Sequence, residues 1–481
     1  MTGQSNAKDR YGYPLSTGSG SAAAHYVEGM DLLLSQNFGA EQRLEDAIEA
    51  DEGFAVAHGA LAFLHMTRGQ VPQARESAHR ARDLSPGISP REKRQVETVA
   101  LWAEGKGIQS LTLIREHLLE FPRDAMLLRL AQRLYMLGCS GSGSPNFPQE
   151  LMALLKSVAE DYGDDWSFLG QYAFAHHETG SYDEALRLAE RSLEIYPLNA
   201  VACHSVTHVF FERGDAGGGG VFLGGWLPGF DKRASYHVHL SWHLALFELA
   251  VGRYQKALDL YESDIRPSVV AKSPSSLADS ASLLWRLQIY GGTPQPKPWD
   301  EVREQALAAA ANTGPAFRDA HACLAFAAAS DDDGLSRIAA GWGKLAEDGN
   351  PLASEVMAPM IHGIEAFGHG DYQRAVDCLE PVIPQLVRIG GSHAQREVFE
   401  DTLLESYLRA GSFVEAETML RSRLKRRASV RDTFWLGRAQ AAAGRLEDAR
   451  SSLNEAVSKW QGGDKDSPEI RNLVEISQKV A

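Results

Sequence analysis

The residues of this chain that can do chemistry fall in a few short strings. Two histidine pairs come first: His204 and His208 in HSVTH, and His239 and His243 in HLSWH, with Trp242 inside the second. A spacing of four places both rings of a pair on one helix face. Neutral imidazole ligates zinc, copper, iron or nickel, and His pairs at this spacing are a common way to build such a site. If both strings are first helices of neighbouring helix pairs, the four imidazoles converge and imply a transition-metal ion as cofactor. A His cluster that moves protons or binds a ligand is one alternative. A set of packed, hydrogen-bonded histidines is another.

Further polar residues sit at comparable helix positions. Glu178 follows His176 and His177 at the end of a first helix, as a candidate base or as a surface carboxylate near a turn. Asp279 and Arg286 flank an apolar stretch, about two helical turns apart, and can face one side. They read as ligand-binding groups or as an interhelical salt bridge. Asp319 and His321 stand at a helix start, where an acidic residue also suits the macrodipole. Ser392, His393, Gln395 and Arg396 follow a Gly-Gly pair. Such a turn can present free N–H groups to an anion, with Arg396 gripping a carboxylate or phosphate, or it is simply a capped helix.

Other chemistries are excluded. The sequence has no GxSxG elbow, no phosphate-binding GxxxxGK[ST] loop, no HExxH and no GxGxxG set between a strand and a helix. The four cysteines (Cys139, Cys203, Cys323, Cys378) form no CxxC pair, so neither a disulfide scaffold nor a thiolate zinc site is expected. With 48 basic and 63 acidic residues the formal charge is −15, which disfavours general nucleic-acid binding. The basic run Arg421–Arg427 (RSRLKRR) reads as a solvated helix face. The first residues are polar, without a signal-peptide core. No apolar run reaches the roughly 18 residues that span a bilayer. A cytoplasmic protein without membrane contact is the expectation.

The elements that must position these residues are helices. A Gly followed five residues later by an Ala recurs at Gly69/Ala74, Gly180/Ala185, Gly252/Ala257, Gly370/Ala375, Gly411/Ala416 and Gly444/Ala449. The Gly fits a helix end that needs positive φ, and the Ala fits close approach of two antiparallel helices. Stretches ending at Pro86 and Pro197 match the tetratricopeptide pattern of about 34 residues. Within LRLAERSLEIY, Leu186, Ala189, Leu193 and Tyr196 form one apolar stripe. The chain reads as all-α: a right-handed superhelix, or α-solenoid, of tetratricopeptide-like helix hairpins whose stacking makes the core continuous. Breaks are expected at Cys139–Pro148, Gly217–Gly229, Gly291–Pro298 and Asp331–Gly334. Phe222–Trp226 in the second break reads as a lid over the histidines or as a loop packing on itself. Two lobes are expected, residues 1–295 with the His-rich inner face and residues 296–481.

Several strings resemble a particular family: PLSTGS at Pro14–Ser19, YAFAHHETGSYDEA at Tyr172–Ala185, HSVTH, HLSWHLAL, DSASLLWRLQ at Asp279–Gln288, DAH at Asp319–His321, and GGSHAQREVF at Gly390–Phe399. With these the chain resembles the tetratricopeptide repeat protein 38 family, as a bacterial member. One departure follows His208, where the family often has another His and a Glu close by and this chain has Phe210, Phe211 and Glu212. The resemblance implies a curved helical-repeat fold and no particular reaction.

The functional expectation is therefore a groove lined by His204, His208, His239, Trp242, His243, Arg286, Ser392, Gln395 and Arg396, taking a small anionic molecule or a short peptide. The alternative is a metal-dependent or acid–base enzyme. There the four histidines bind metal or move protons, and Glu178, Asp279, Asp319 or His321 is catalytic.

Overall fold

A computed structural model describes residues 7–291 and 296–480. Part of the expected connector at Gly291–Pro298 (residues 292–295, with the expected lobe boundary) and the first six residues of the polar N-terminal stretch lie outside the described residues. Among the described residues helix follows helix from Gly20 to Val480. No strand forms there, and one isolated antiparallel bridge joins Lys8 to Pro14. The fold is all-α and built of tetratricopeptide-like hairpins.

The hairpins follow from the Gly/Ala signal. Ala55–Thr67 packs on Val71–Leu84, Trp166–Glu178 on Tyr182–Ile195, Ala358–Gly368 on Tyr372–Leu379, and Val430–Ala442 on Leu446–Lys459. All six glycines take positive φ, between 74° and 84°. After each, the next N–H reaches back five residues to a carbonyl at 2.8–2.9 Å, for example Gln70 to His65 and Arg445 to Gln440. That bond satisfies a helix-end carbonyl and reverses the chain. The six alanines, Ala74, Ala185, Ala257, Ala375, Ala416 and Ala449, are all fully buried. A longer side chain there would hold the paired helices apart.

The PLSTGS string works as a clasp at the start of the first helix. Ser19 caps Gly20–Ser35 by accepting from the Ala22 N–H at 3.1 Å. The Ser16 N–H donates to Glu92 at 2.8 Å, and the Thr17 hydroxyl donates to Asp51.

Four expected irregular or solvated segments are built differently. Gly217–Gly229 is no loop: Ala216–Trp226 is a helix, followed by a short turn of 3-10 helix at Leu227–Gly229. Asp215 caps it, accepting from the Gly218 N–H at 2.8 Å. A Cβ on Gly219 would lie 2.4 Å from the Phe247 ring, so glycine here permits close packing. The acidic Asp331–Gly334 is likewise a helix start, with Asp331 accepting from the Gly334 N–H at 2.9 Å and more acid in the first turn. Cys139–Pro148 holds a helical turn, Cys139–Ser142, and the beginning of Phe147–Tyr162. In Arg421–Arg427 only part of the run faces solvent: Arg423 is buried and Arg427 half-buried.

The chain divides into two compact units, Met1–Val206 with Gly229–His237, and Thr207–Pro228 with Val238–Ala481. Four tryptophans, Trp242, Trp285, Trp342 and Trp435, are almost completely buried in the second. No helix among the described residues is long and apolar enough to cross a membrane.

Candidate metal centre

In the C-terminal unit three helices carry the groups of interest. Ser235–Ala250 presents His239, Trp242 and His243; Leu277–Ile289 presents Asp279, Ser282 and Arg286; Ala200–Arg213 contributes His208. His208, His239 and His243 each offer a ring nitrogen, and these atoms lie within 4.8 Å of one another. The rings of His208 and His243 are 4.6 Å apart and those of His239 and His243 4.8 Å, both nearly perpendicular. His208 and His243 are fully buried, whereas the His239 side chain keeps 15% of its surface.

His239 is held on two sides. Its Nδ1 lies 3.1 and 3.0 Å from the two oxygens of Asp279, so Nδ1 carries the hydrogen and Nε2 keeps its lone pair. Its ring stacks on Trp242 at 5.4 Å and 14°. The Trp242 Nε1–H donates to Ser282 Oγ at 3.0 Å, which fixes the indole in turn. His204 stands one turn before His208 on the same helix, and its Nδ1 lies 3.0 Å from the Tyr236 hydroxyl. His239 thus has Nδ1 occupied by a partner that orients the ring, the arrangement that metal-binding imidazoles need.

A second polar cluster lies in the same unit. The Arg286 Nη2–H donates to the Ala394 carbonyl at 2.8 Å, and its Nε is 3.6 Å from Asp401. The guanidinium also lies 5.8 Å from the Trp242 ring. Its Nη1 is buried without a hydrogen-bond partner. His321 Nδ1 is 2.7 Å from the Phe317 carbonyl and donates to it, while Nε2 is buried without a hydrogen-bond partner. Burial pushes the His321 imidazole down to about 4, with the Arg286 charge adding to the effect and Asp279 opposing it. His321 is neutral at pH 7 and presents an acceptor.

The remaining candidates have other partners. Asp319 accepts from the Gly314 N–H at 2.8 Å, from Trp342 Nε1 at 3.0 Å and from Arg318 at 2.7 Å. Burial raises its carboxyl above the usual range, with Arg318 opposing. Ser392 and Gln395 form a capping box for His393–Ala410. Arg396 donates to the carbonyls of Gly390 and Gly391. These are the contacts of a capped helix start. Glu178 lies in the N-terminal unit, its oxygen 3.4 Å from His177 Nδ1.

One cluster was not legible as a site. Arg423 reaches Asp401 at 2.8 Å, Asp432 at 3.0 Å and Glu397 at 3.2 Å, all buried. His393 Nδ1 is 2.7 Å from Glu212. His393, Glu397 and Glu400 also bring ligand atoms within 4.8 Å. Their carboxylates are already matched: Glu397 takes Arg427 at 2.6 Å and Glu400 takes Arg426 at 3.0 Å. Burial alone would raise the Glu397 carboxyl, but Arg427 and Arg423 hold it well below the usual range. A divalent cation would have to displace those arginines, so the histidine trio is the better candidate. The clue in the sequence was acid at every third or fourth position after His393, facing an arginine-rich helix.

Comparison with known proteins adds the following. Tetratricopeptide repeat models match residues 402–464 and residues 55–80 and 166–191. Among solved structures, human IFIT1 as a dimer with m7Gppp-AAAA is 14% identical, covering 89% of this chain and 95% of that one, at a TM-score of 0.41. Yeast Tom70 is 14% identical, covering 95% of each chain, at a TM-score of 0.31. Overlaps this loose transfer neither a ligand nor a partner. The chain carries tetratricopeptide repeats at the three matched stretches.

Proposed function

We propose that this tetratricopeptide-repeat protein binds a transition-metal ion through His208, His239 and His243. The observation that carries the reading is Asp279, whose carboxylate holds His239 Nδ1 at 3.0 Å and so sets the tautomer with its lone pair on Nε2. An all-nitrogen donor set of neutral imidazoles suits zinc, copper, nickel or iron and not magnesium or calcium. Three ligands leave a position open for Lewis-acid chemistry on a small molecule. Metal analysis of purified protein, with cobalt(II) titration followed by visible absorption, tests this. One equivalent of metal, lost in His208→Ala and His243→Ala while the fold persists, is expected. A wild-type protein that neither retains nor takes up metal overturns the reading.

A second reading has its own observation. The Arg286 Nη1 donor is buried without a hydrogen-bond partner, which suits an enclosed small anionic molecule better than an extended peptide. Under this reading His239 and Asp279 act as an acid–base couple without metal. The strings from PLSTGS to GGSHAQREVF support membership of the tetratricopeptide repeat protein 38 family. Four free cysteines, two of them half-buried, fit a reducing, cytoplasmic compartment.

A further inference from the structure

The N-terminal unit contains a polar recess. Arg91 and Gln95 stand one turn apart on Pro90–Ala103 and share a face. Asp124, just before Ala125–Met136, holds both side chains. It accepts from Arg91 Nε at 3.1 Å and from Gln95 Nε2 at 2.7 and 2.8 Å, and His117 Nε2 lies 2.9 Å from the same carboxylate. Burial alone would raise the Asp124 carboxyl, but Arg91 and His117 hold it at about 2. Only an NH2 group can serve that anion, so the orientation of the Gln95 amide is fixed. Arg91 turns Nη2 to Asp9 at 2.8 Å. Two atoms are left over: Arg91 Nη1 and Gln95 Oε1 are buried without a hydrogen-bond partner. Arg91 is 5% exposed and Gln95 2%. Both residues line one cavity, together with Tyr26 and Asp31 from Gly20–Ser35.

The cavity has a volume of about 30 Å³, room for two water-sized atoms at about 10–15 Å³ each. It shares Val27 and Asp31 with a wider cleft of about 890 Å³. That size is within the roughly 300–1,000 Å³ of small-molecule sites. The cleft offers apolar wall at Ala23, Ala24, Val27, Leu32 and Tyr196. The charges around the recess are already matched. Asp31 takes Arg10 at 3.0 Å, Arg10 also reaches Asp165 at 3.2 Å, and Asp9 and Asp124 take Arg91. What the recess lacks is one acceptor for the Arg91 Nη1–H and one donor for Gln95 Oε1. We propose that it binds the carboxamide group of an uncharged small molecule, whose oxygen accepts from Arg91 Nη1 and whose nitrogen donates to Gln95 Oε1, with an apolar body in the outer cleft. An amide carries one acceptor and one donor on a single carbon, in two water-sized atoms. A carboxylate brings Gln95 no hydrogen and adds an anion beside Asp9, Asp31 and Asp124. An ammonium brings Arg91 no lone pair. The site lies in the other unit from the histidine trio and uses no metal, so either assignment can fail without the other.

The test is saturation-transfer NMR titration of the full chain with three probes of similar shape: benzamide, benzoate and benzylamine. Wild type is expected to bind benzamide, and to bind the anion and the cation at least about tenfold more weakly, the cost of one unmet buried group. Two variants locate the binding. Val27→Phe fills the junction of recess and cleft from a half-buried position, and Gln95→Met removes the acceptor at nearly equal length. Each is expected to weaken benzamide at least about tenfold, with circular dichroism melts showing which variants are folded. Should Gln95→Met fail to fold, Val27→Phe decides. Benzamide binding that survives in a folded variant, benzoate or benzylamine binding as tight as benzamide, or no benzamide binding in wild type overturns the proposal; in the last case the recess belongs to water.

Discussion

Asp279 sets both carboxylate oxygens within 3.1 Å of one atom, Nδ1 of His239. The two residues come from different helices, so the contact fixes how Ser235–Ala250 and Leu277–Ile289 present their polar faces. It also fixes the tautomer, and with it the ring nitrogen that faces His243.

Asp279→Asn keeps the shape of the side chain and removes its charge. An amide accepts from Nδ1–H less strongly, and its NH2 group can force the other tautomer. Metal affinity, measured by competition with a chelator, is expected to fall about 10- to 100-fold with the helical content unchanged. Affinity equal to wild type would show that Asp279 does not orient a metal ligand.

His321 makes stability depend on pH. Its folded value is lowered from 6.5 to about 4 because burial, aided by Arg286, disfavours the cation. The unfolded chain therefore binds more protons than the folded one between these values, and stability rises with pH there. The contribution is complete above pH 6.5 and is lost progressively as pH falls toward 4. Over the whole interval it amounts to about 3 kcal/mol. Urea midpoints for wild type should fall more steeply between pH 7 and pH 4.5 than those of His321→Asn. Parallel slopes would remove His321 as the titrating group.

Arg423 neutralises Asp401, Asp432 and Glu397 at once. Removing it leaves buried carboxylates uncompensated, at a cost of about 3–5 kcal/mol in Arg423→Met. Adding Asp432→Asn to that variant should recover part of the loss, because one stranded charge disappears. A double-mutant cycle on urea unfolding checks this, and additive losses would show that the pair is not coupled.

The hairpins were legible because Gly and Ala act locally. A positive φ at Gly180 or Gly444 and a full burial at Ala185 or Ala449 follow from neighbours within the same helix pair. The His pairs were legible for the same reason, since spacing on one helix fixes which face two side chains share. What escaped is set between distant helices. Nothing near Arg423 in sequence says that it faces Asp401 and Glu397 and not water. His393 and Glu212 are 181 residues apart, yet 2.7 Å separates their polar atoms. Ser392, Gln395 and Arg396 read equally as an anion cradle or a capped helix, because a capping box and a cradle share their first residues.

The Gly-rich stretch after Asp215 misled for a related reason. Glycine is the poorest helix former after proline, but Ala216–Trp226 is helical all the same, and at Gly219 the partner Phe247 ring comes too close for a side chain. The effect is local to single positions, and two substitutions separate it from general flexibility. At Gly220 a Cβ would meet only Phe247 Cβ, at 3.8 Å, an ordinary contact. Gly220→Ala should therefore stabilise by about 0.5–1 kcal/mol through reduced backbone freedom. At Gly219 the same gain is offset by a Cβ 2.4–2.7 Å from the rigid, buried Phe247 ring. Overpacking of this kind costs about 1–3 kcal/mol, so Gly219→Ala should lower stability on balance. Thermal melts of the two variants are thus expected to move in opposite directions. If both rise, the ring gives way easily and close approach is not what selects glycine at residue 219.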